Sequence, residues 1–327
     1  MKVNLPASRR AKSLSPPNMT SQVYTEFTKG VRSGQWAYGP SCLTLEKAIA
    51  QELDLDPACV IATASCSHAL AAARHFMHLN KPRVCPLTWP ATYGYEGTWV
   101  DFENYCRSLP AVDIAVDLWG EPAWTAKPPI ILDAAHRFLA PEHAEIIHGK
   151  TNFITYSFAP QKEISALMGG ALVMRKPEWR DGLLTYLNGG IYNRYAAGPG
   201  VPKGLMPSPI ARMVRAKMHE HPVRYAARQL ALQKYHELLD DRLLTTPGYA
   251  SGHLAVVLAR TGAEREEWRG NLDKHGFQHG WHYPMTQAQK EAAPIASDLS
   301  DRVLTLPLHC HLTAQDAVEV LRRMVGA

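Results

Sequence analysis

The chain has 327 residues, of which 46% are hydrophobic and 20% are charged, and this balance excludes a mainly disordered protein. The 35 basic and 30 acidic side chains leave a formal net charge of +5, a mild excess that permits an anionic partner without requiring one. A chain of this length predicts about two domains. No apolar run reaches the roughly 18 residues that a membrane span needs, so we expect no membrane-embedded segment.

The cysteines and the start of the chain predict a reduced, cytoplasmic protein. The six cysteines never show the CxxC spacing of zinc sites and redox motifs, and we expect no metal. The segment His309-Cys310-His311 fits packing or the rim of a site better than a metal centre. The opening MKVNLPASRRAKSL is basic, but the apolar stretch of a secretory signal does not follow it.

The first half of the chain predicts an α/β sheet. Residues 1–20, rich in proline, serine and basic side chains, are expected to form an N-terminal arm. Helices are expected over 21–32 and 41–53, the second with Leu43, Ile49 and Leu53 on its apolar face. Short, mostly continuous apolar runs then predict seven strands, at 59–64, 83–87, 98–102, 112–118, 129–133, 153–158 and 170–174. Strands of this kind are buried on both faces, so the sheet is expected to be mostly parallel, with a helix over 67–79 after its first strand.

A loop and a long helix follow the predicted sheet. Residues 186–207 carry five glycines and three prolines, which predicts a long loop of the kind that is often functional. A basic helix is expected over 208–239, and Pro222 is a position at which it could be interrupted. Its charged residues, together with His219 and His221, are expected to face solvent.

A smaller α/β unit is predicted after the long helix. It comprises strands at 253–259 and 302–308, a helix at 263–275 and a final helix from Thr313. The predicted domains are an arm over 1–20, a large domain over 21–240 and a small C-terminal domain over 241–327.

Two polar side chains follow strand ends in the predicted sheet. Asp133 ends the run PIILD, three residues before His136, and Lys162 follows FITYSF in the segment APQKEIS. Ligands of α/β sheets bind at the carboxyl ends of the strands. A carboxylate there suits a metal, a ribose or a ring cation, but it is also typical of a helix N-cap. Because an enclosed lysine has a depressed pKa, as Schiff-base chemistry requires, we expect a lowered pKa for Lys162.

Two further segments suit a flat, phosphorylated ligand. In SCSHAL, small residues begin a helix, where backbone N–H groups and the helix dipole favour phosphate. Ser65 and Ser67 could add hydroxyl donors, although serine is also an ordinary N-cap. In LTWPATYGY, Trp89 could stack on a planar ring or belong to the core. A phosphate cradle, an aromatic ring, a carboxylate and a lysine in this order predict pyridoxal phosphate (PLP).

The chain resembles the DegT/DnrJ/EryC1/StrS family of sugar aminotransferases from about residue 34 to residue 325. The similar segments are GQWAYGPSCLTLEKAIA, ATASCSHAL, PLTWPAT, VDLWGEP, ILDAAHRFLA, YSFAPQKEISALMGGALVM, GWHYP and LTLPLHCHLT. The resemblance implies the fold-type-I PLP-dependent transferase fold, an α/β fold with a seven-stranded, mostly parallel sheet and a small C-terminal α/β domain. It also implies a homodimer with shared active sites, in which the loop at 186–207 reaches across.

The resemblance implies roles for individual residues. Lys162 would be the Schiff-base lysine, Asp133 the partner of the pyridine nitrogen, and His136 a residue against the ring or its 3-oxygen. Trp89 would stack on the ring. The residues around the phosphate would be Ser65, Cys66, Ser67 and Ser157.

Three departures from the family pattern concern the substrate and the reaction outcome. Cys66 stands where the family has glycine, and Leu167-Met168 stand before the Gly-Gly pair where the family has an acidic residue. The asparagine that reaches the neighbouring subunit's phosphate has no counterpart in KGLMPSPIARM, where Lys203 could compensate.

We therefore expect a PLP-dependent aminotransferase. It would move an amino group from a donor such as glutamate or glutamine to a keto group, on a nucleotide-linked sugar. The alternative is a PLP-dependent decarboxylase, lyase or dehydratase acting on an unusual substrate such as an amino-acid-modified nucleotide or DNA base. A third hypothesis, a binding protein on the same fold, is disfavoured because Lys162 and Asp133 are both present. A nucleic-acid partner fits less well, because no aromatic stacking pattern accompanies the basic helix.

Overall fold

The structure is a computed structural model that describes residue 13 and residues 19–79, 84–85, 113–123, 127–189, 203–248, 250–281, 287–292 and 294–326. Several predicted features lie outside the described residues. They are the strand at 98–102, Trp89, most of the N-terminal arm, residues 190–202 of the loop and the last three residues of GWHYP.

Six strands form the large sheet of the described chain. They are β1 (Val60–Thr63), β2 (Val84–Cys85), β3 (Ile114–Val116), β4 (Ile131–Asp133), β5 (Phe153–Ser157) and β6 (Gly170–Met174). Their order across the sheet is β1-β6-β5-β4-β3-β2. The strands β2 to β5 are parallel, whereas β6 runs antiparallel to both of its neighbours, β1 and β5. The predicted α/β fold with a mostly parallel sheet is confirmed, and β6 is its antiparallel member.

Helices cover both faces of this sheet. They are α1 (Ser21–Arg32), α2 (Pro40–Glu52), α3 (Cys66–Phe76), α4 (Pro141–His148), α5 (Arg180–Leu187) and α6 (Ser208–Leu239). Alternate strand residues point to opposite faces. Ala62 and Tyr156 join the core under α2 and α6, while Ile61 and Phe153 join a second cluster with α3 and α5. The strands are therefore buried on both faces, as their apolar runs predict.

A second, smaller sheet has its own core. Strands β7 (Ala255–Leu258) and β8 (Val303–Leu306) pair antiparallel. The helices of this part are α7 (Gly262–Lys274), α8 (Gln287–Ala292), α9 (Pro294–Arg302) and α10 (Ala314–Met324). Buried residues such as Val257, Trp268, Leu304 and Val320 form one cluster here, distinct from the clusters of the large sheet.

Helix α6 belongs to both cores. Its first half contributes Met213 and Val214 to the core of the large sheet, and its second half contributes Leu232 and Tyr235 to the smaller core. Pro222 lies in the middle and is exposed, and the helix continues through it without interruption.

The expectation that the charged side chains of α6 face solvent is wrong at several positions. Lys217 and Arg228 are buried, with 3% and 7% of their surface exposed, and the side chains of His221 and Arg224 are largely buried, with 20% and 13% exposed. The reason is that one face of the middle of α6 is covered, where other side chains supply partners for these residues. His219 is exposed as expected. Of the residues predicted on the apolar face of the second helix, Ile49 and Leu53 are buried, whereas Leu43 is half exposed and Leu45 is buried in its stead.

Among the described residues, no helix has both the length and the hydropathy needed to cross a membrane.

Candidate active site

Three residues from separate elements meet at one edge of the large sheet. Asp133 is the last residue of β4, Lys162 lies in the loop after the neighbouring strand β5, and Cys66 is the first residue of α3. The Cys66 Sγ atom lies 3.7 Å from Asp133 Oδ1. The charge of Asp133 acts on the amine of Lys162. The structure thus brings together a lysine, a carboxylate and a helix N-terminus, as the sequence predicts.

Gly170 allows the start of α3 to approach this edge. Strand β6 begins at Gly170, and a Cβ atom on this residue would lie 2.4 Å from the backbone nitrogen of Cys66 and 2.5 Å from the carbonyl carbon of Ser65. No side chain fits at that separation. The Gly-Gly pair before β6 is therefore required for the close packing of the helix N-terminus on the sheet.

The carboxylate of Asp133 is buried and held by neutral donors. Its Oδ1 accepts hydrogen bonds from the backbone N–H of Ala135 at 3.0 Å and from Thr155 Oγ1 at 3.4 Å. Asp133 is 7% exposed, and Thr155 stands opposite it in the register of β4 and β5. Both bonds orient the carboxylate.

Burial lowers the pKa of Lys162 to about 8, although the negative charge of Asp133 acts in the opposite direction. This confirms the expected depression of the pKa. A lysine with a pKa near neutrality is partly unprotonated under ordinary conditions, and the neutral amine is the nucleophilic form.

The Cys66 thiol stays protonated. Burial raises its pKa well above the ordinary value, and the neighbouring charge of Asp133 raises it further. Its side chain contacts the carboxylate of Asp133. Cys66 is also the first residue of α3, where the sequence predicts a phosphate.

His136 is buried beside this edge, and its ring is held by the backbone. The Nδ1 atom accepts a hydrogen bond from the N–H of Trp119 at 3.0 Å, so a neutral ring carries its proton on Nε2. The His136 carbonyl accepts a hydrogen bond from Ser251 Oγ at 2.7 Å. Trp119 and Gly120 both have positive φ, and a Cβ on Gly120 would lie 2.3 Å from Ser251 Oγ. Because Gly120 has no side chain, Ser251 can pack against it and donate its hydrogen bond to the His136 carbonyl.

The predicted phosphate residues lie around the start of α3 and the end of β5. Ser65 is the N-cap of α3: its Oγ accepts from the His68 N–H at 3.2 Å and lies 2.8 Å from His68 Nδ1. Ser67 is exposed in the first turn of α3. Ser157 ends β5, and its Oγ accepts from the Ala159 N–H at 3.5 Å. The first turn of α3 has no acidic residue, so an anion is not repelled there.

Sequence reasoning missed the residues that support the site. Thr155 could have been found, because it occupies the strand position beside Asp133 once the two runs are paired. Trp119 and Ser251 gave no such signal, since their contacts to His136 depend on the packing of distant segments. The same is true of Glu163, whose carboxylate accepts from the Phe138 N–H at 2.9 Å.

Solved structures similar to this chain share its fold at low sequence identity. An aminotransferase of Helicobacter pylori, PseC, involved in the biosynthesis of pseudoaminic acid, has a TM-score of 0.76 and 16% identity, with 96% of this chain and 98% of that chain covered. Spr1654 of Streptococcus pneumoniae in its PMP form, whose proposed activity is that of a sugar aminotransferase, has a TM-score of 0.77 and 16% identity, with 95% of this chain and 96% of that chain covered. NtdA of Bacillus subtilis with bound cofactor PMP has a TM-score of 0.75 and 17% identity, with 98% of this chain and 84% of that chain covered.

A search of curated protein sequences finds no match. The model of the DegT/DnrJ/EryC1/StrS aminotransferase family matches residues 115–325, which is most of the chain. The matched part contains Asp133, His136, Lys162 and the whole of the smaller sheet. The chain therefore belongs to the DegT/DnrJ/EryC1/StrS aminotransferase family.

Proposed function

We propose that Lys162, Asp133 and His136 are the catalytic residues of a PLP-dependent aminotransferase that acts on a keto group of a nucleotide-linked sugar. Membership of the family makes the chain a PLP-dependent aminotransferase. The observation that carries the assignment of residues is the buried Lys162, whose pKa is lowered to about 8 beside the carboxylate of Asp133.

The residues at the sheet edge fit PLP. A phosphate suits the N-terminus of α3, where Ser65, Cys66 and Ser67 begin a helix without acidic residues in its first turn. A protonated ring nitrogen suits the buried carboxylate of Asp133, and an aldehyde suits the amine of Lys162. When bound, PLP supplies an electron sink for negative charge that develops on the amino substrate. Trp89 and Ser157 remain proposed contacts of the ring and of the phosphate.

Lys162 moves the proton of the reaction. Its Nζ would accept the proton from the Cα atom of the amino donor and deliver it to the cofactor carbon that is bound to the amino nitrogen. A pKa of about 8 serves both halves of this task, because the amine is neither a strong base that stays protonated nor too weak a base to take the proton.

Asp133 and His136 hold charge and orientation. The Asp133 carboxylate keeps a proton on the ring nitrogen, and its bonds to Ala135 and Thr155 fix the carboxylate in place. His136 presents the N–H of its Nε2 atom, because Nδ1 accepts from Trp119. A fixed tautomer makes His136 a hydrogen-bond donor toward the ring or its 3-oxygen.

The substrates are proposed from the relatives and from the sequence. Spr1654 supports a sugar as the acceptor, while the nucleotide on that sugar and a glutamate or glutamine donor come from the sequence resemblance. We also propose a homodimer with shared active sites, a cytoplasmic location, and a boundary between large and small domains at 240/241. The separate cores of the two sheets support this boundary.

The test is the visible spectrum of the purified protein with PLP, before and after addition of L-glutamate or L-glutamine. Wild-type protein should develop the absorbance of lysine-bound PLP and lose it when the donor passes on its amino group. The variant Lys162→Ala should never develop it, whereas Lys176→Ala, which removes an exposed lysine, should behave like wild type.

Two results would change the proposal. Equal spectra for Lys162→Ala and wild type would contradict the role of Lys162. A protein that attaches PLP but ignores both donors would favour the alternative of decarboxylase, lyase or dehydratase chemistry on an amino-acid-modified nucleotide or DNA base.

A further inference from the structure

Glu163, the residue after Lys162, connects three parts of the protein through one buried carboxylate. Its side chain is 4% exposed. The Oε2 atom accepts a hydrogen bond from the backbone N–H of Phe138 at 2.9 Å. The Oε1 atom lies 2.5 Å from His221 Nε2 and 3.5 Å from Arg228 Nη2, both on α6. We call these four residues, Phe138, Glu163, His221 and Arg228, the Glu163 cluster.

The Glu163 cluster contacts the segment that carries His136. Phe138 lies two residues after His136 in the segment that follows β4. The His221 ring also packs edge-on against the Phe138 ring, with 6.0 Å between centroids and 88° between planes. The backbone that carries His136 is thus bound both by the carboxylate of Glu163 and by the ring of His221.

The Glu163 cluster also contacts α6, the helix that contributes residues to both cores. His221 and Arg228 lie between the part of α6 in the first core and the part in the second. A second contact joins α6 to the same loop, since the buried Lys217 donates from Nζ to Ser165 Oγ at 2.8 Å. The loop of Lys162 is therefore held by α6 at Glu163 and at Ser165.

The charge balance shows that this carboxylate is required. Arg228 is 7% exposed, and Glu163 is the carboxylate that the structure pairs with it within the described chain. Its Nε and Nη2 atoms have no hydrogen-bond partner among the described residues. A buried guanidinium without its counter-charge is strongly unfavourable, so the loop is held where Glu163 reaches Arg228.

We propose that Glu163 is a positioning residue, which fixes Lys162 relative to His136 and to α6 through the Glu163 cluster. The inference rests on the proposed function of Lys162. The carboxylate of Glu163 binds Phe138, His221 and Arg228, so we expect its effect on Lys162 to pass through the backbone of the loop. A displacement of about 1 Å in a reacting group is enough to slow chemistry by roughly 10²-fold.

The test compares Glu163→Gln with Glu220→Gln. Glu220 is a carboxylate on α6 that pairs with Arg224 and contacts Thr20. It has no hydrogen bond or ion pair with the Lys162 loop among the described residues. The readouts are the rate at which apo-protein attaches PLP, followed by trapping with borohydride and mapping of the labelled peptide, and the separate values of kcat and KM for the amino donor. Thermal unfolding shows whether each variant is folded.

Glu163→Gln should attach PLP at Lys162 and do so about tenfold more slowly, with a lower kcat and a nearly unchanged KM, whereas Glu220→Gln should stay close to wild type. Glu163→Asp, which restores the charge, should recover part of the rate. Wild-type rates for a folded Glu163→Gln would overturn this inference alone. Failure of wild-type protein to attach PLP would overturn the proposed function as well.

A second variant covers the case in which Glu163→Gln does not fold. His221→Gln removes one contact from α6 and keeps the bond between Glu163 and Phe138. It should slow attachment of PLP in the same direction and by a smaller factor. A rate equal to wild type in His221→Gln would then overturn the inference.

Discussion

Two lysines in this protein have the same lowered pKa and different surroundings. Desolvation lowers the pKa of Lys162 and of Lys217 to about 8 in each case. Lys162 is partly exposed at the sheet edge, where the charge of Asp133 acts on its amine. Lys217 is 3% exposed on α6 and donates to Ser165 Oγ, on the loop that carries Lys162.

The comparison teaches that a perturbed pKa does not by itself identify a catalytic residue. Desolvation produces the same shift wherever a lysine is covered. What distinguishes Lys162 is its access and its partners: a carboxylate, and a helix N-terminus that suits a phosphate. Lys217 has a hydroxyl as its partner and little access to solvent, and a structural role follows.

Loss of turnover should separate the two lysines most clearly. Lys162→Ala removes the proton-transferring amine and should lower kcat by at least roughly 10²- to 10⁴-fold. Lys217→Met keeps that amine and removes only a support of its loop, so it should retain most of the activity and attach PLP. Steady-state kinetics with an amino donor measure both. Comparable losses in the two variants would erase the distinction.

Asp133→Asn should have the next largest effect, because it removes the charge that distinguishes the surroundings of Lys162. Turnover should fall by roughly 10²- to 10³-fold, as for other losses of a preorganised electrostatic contact. The pKa of Lys162 should also fall below its present value of about 8, since the charge of Asp133 raises it. A pH titration of PLP attachment measures this shift. Asp241→Asn, at an exposed site, provides the control.

The lowered pKa of Lys217 should make the free energy of unfolding depend on pH. Its pKa of about 8 in the folded state lies below the ordinary value of 10.5, so the unfolded chain binds more protons between these values. Wild-type stability should therefore rise relative to Lys217→Met as the pH increases from 8 towards 10, by about 2–3 kcal/mol. Chemical denaturation of both proteins at each pH gives the difference. A constant difference would mean that Lys217 is not titrating in this range.

Gly170→Ala is expected to have the smallest effect of these substitutions. It should act locally, at the sheet edge where α3 begins. Its Cβ would overlap the backbone of Ser65 and Cys66, so the start of α3 must shift, at a cost of roughly 1–3 kcal/mol. Affinity for PLP should fall with it. Gly182→Ala in α5, where the new Cβ would lie 3.4 Å from Phe76, should be neutral or slightly stabilising. Calorimetry and PLP titration measure these effects, and equal behaviour of the two variants would contradict the role of Gly170.

Much of the fold could be predicted because its elements carry local signals. Apolar runs predicted β4, β5 and β6 nearly to their ends, and the bounds predicted for α1 and α6 agree with the structure. The segment CVIATASCSHAL predicted a strand, a serine cap and a helix. The errors lie on α2 and α6: Leu43 is exposed, while Lys217, His221 and Arg228 are covered. A helix sequence indicates which faces are polar, but a polar side chain is buried when a second element supplies its partner.

The order of motifs along the chain determined the family, the sheet and the two residues at its edge, because strand ends and helix starts are encoded by neighbouring residues. Only the tertiary structure decided how those residues are held. The contacts of Cys66 with Asp133, of Trp119 with His136, and of Glu163 with α6 join residues from 17 to 67 positions apart. Such contacts depend on the packing of whole elements, and no local pattern of hydrophobic and polar residues specifies them.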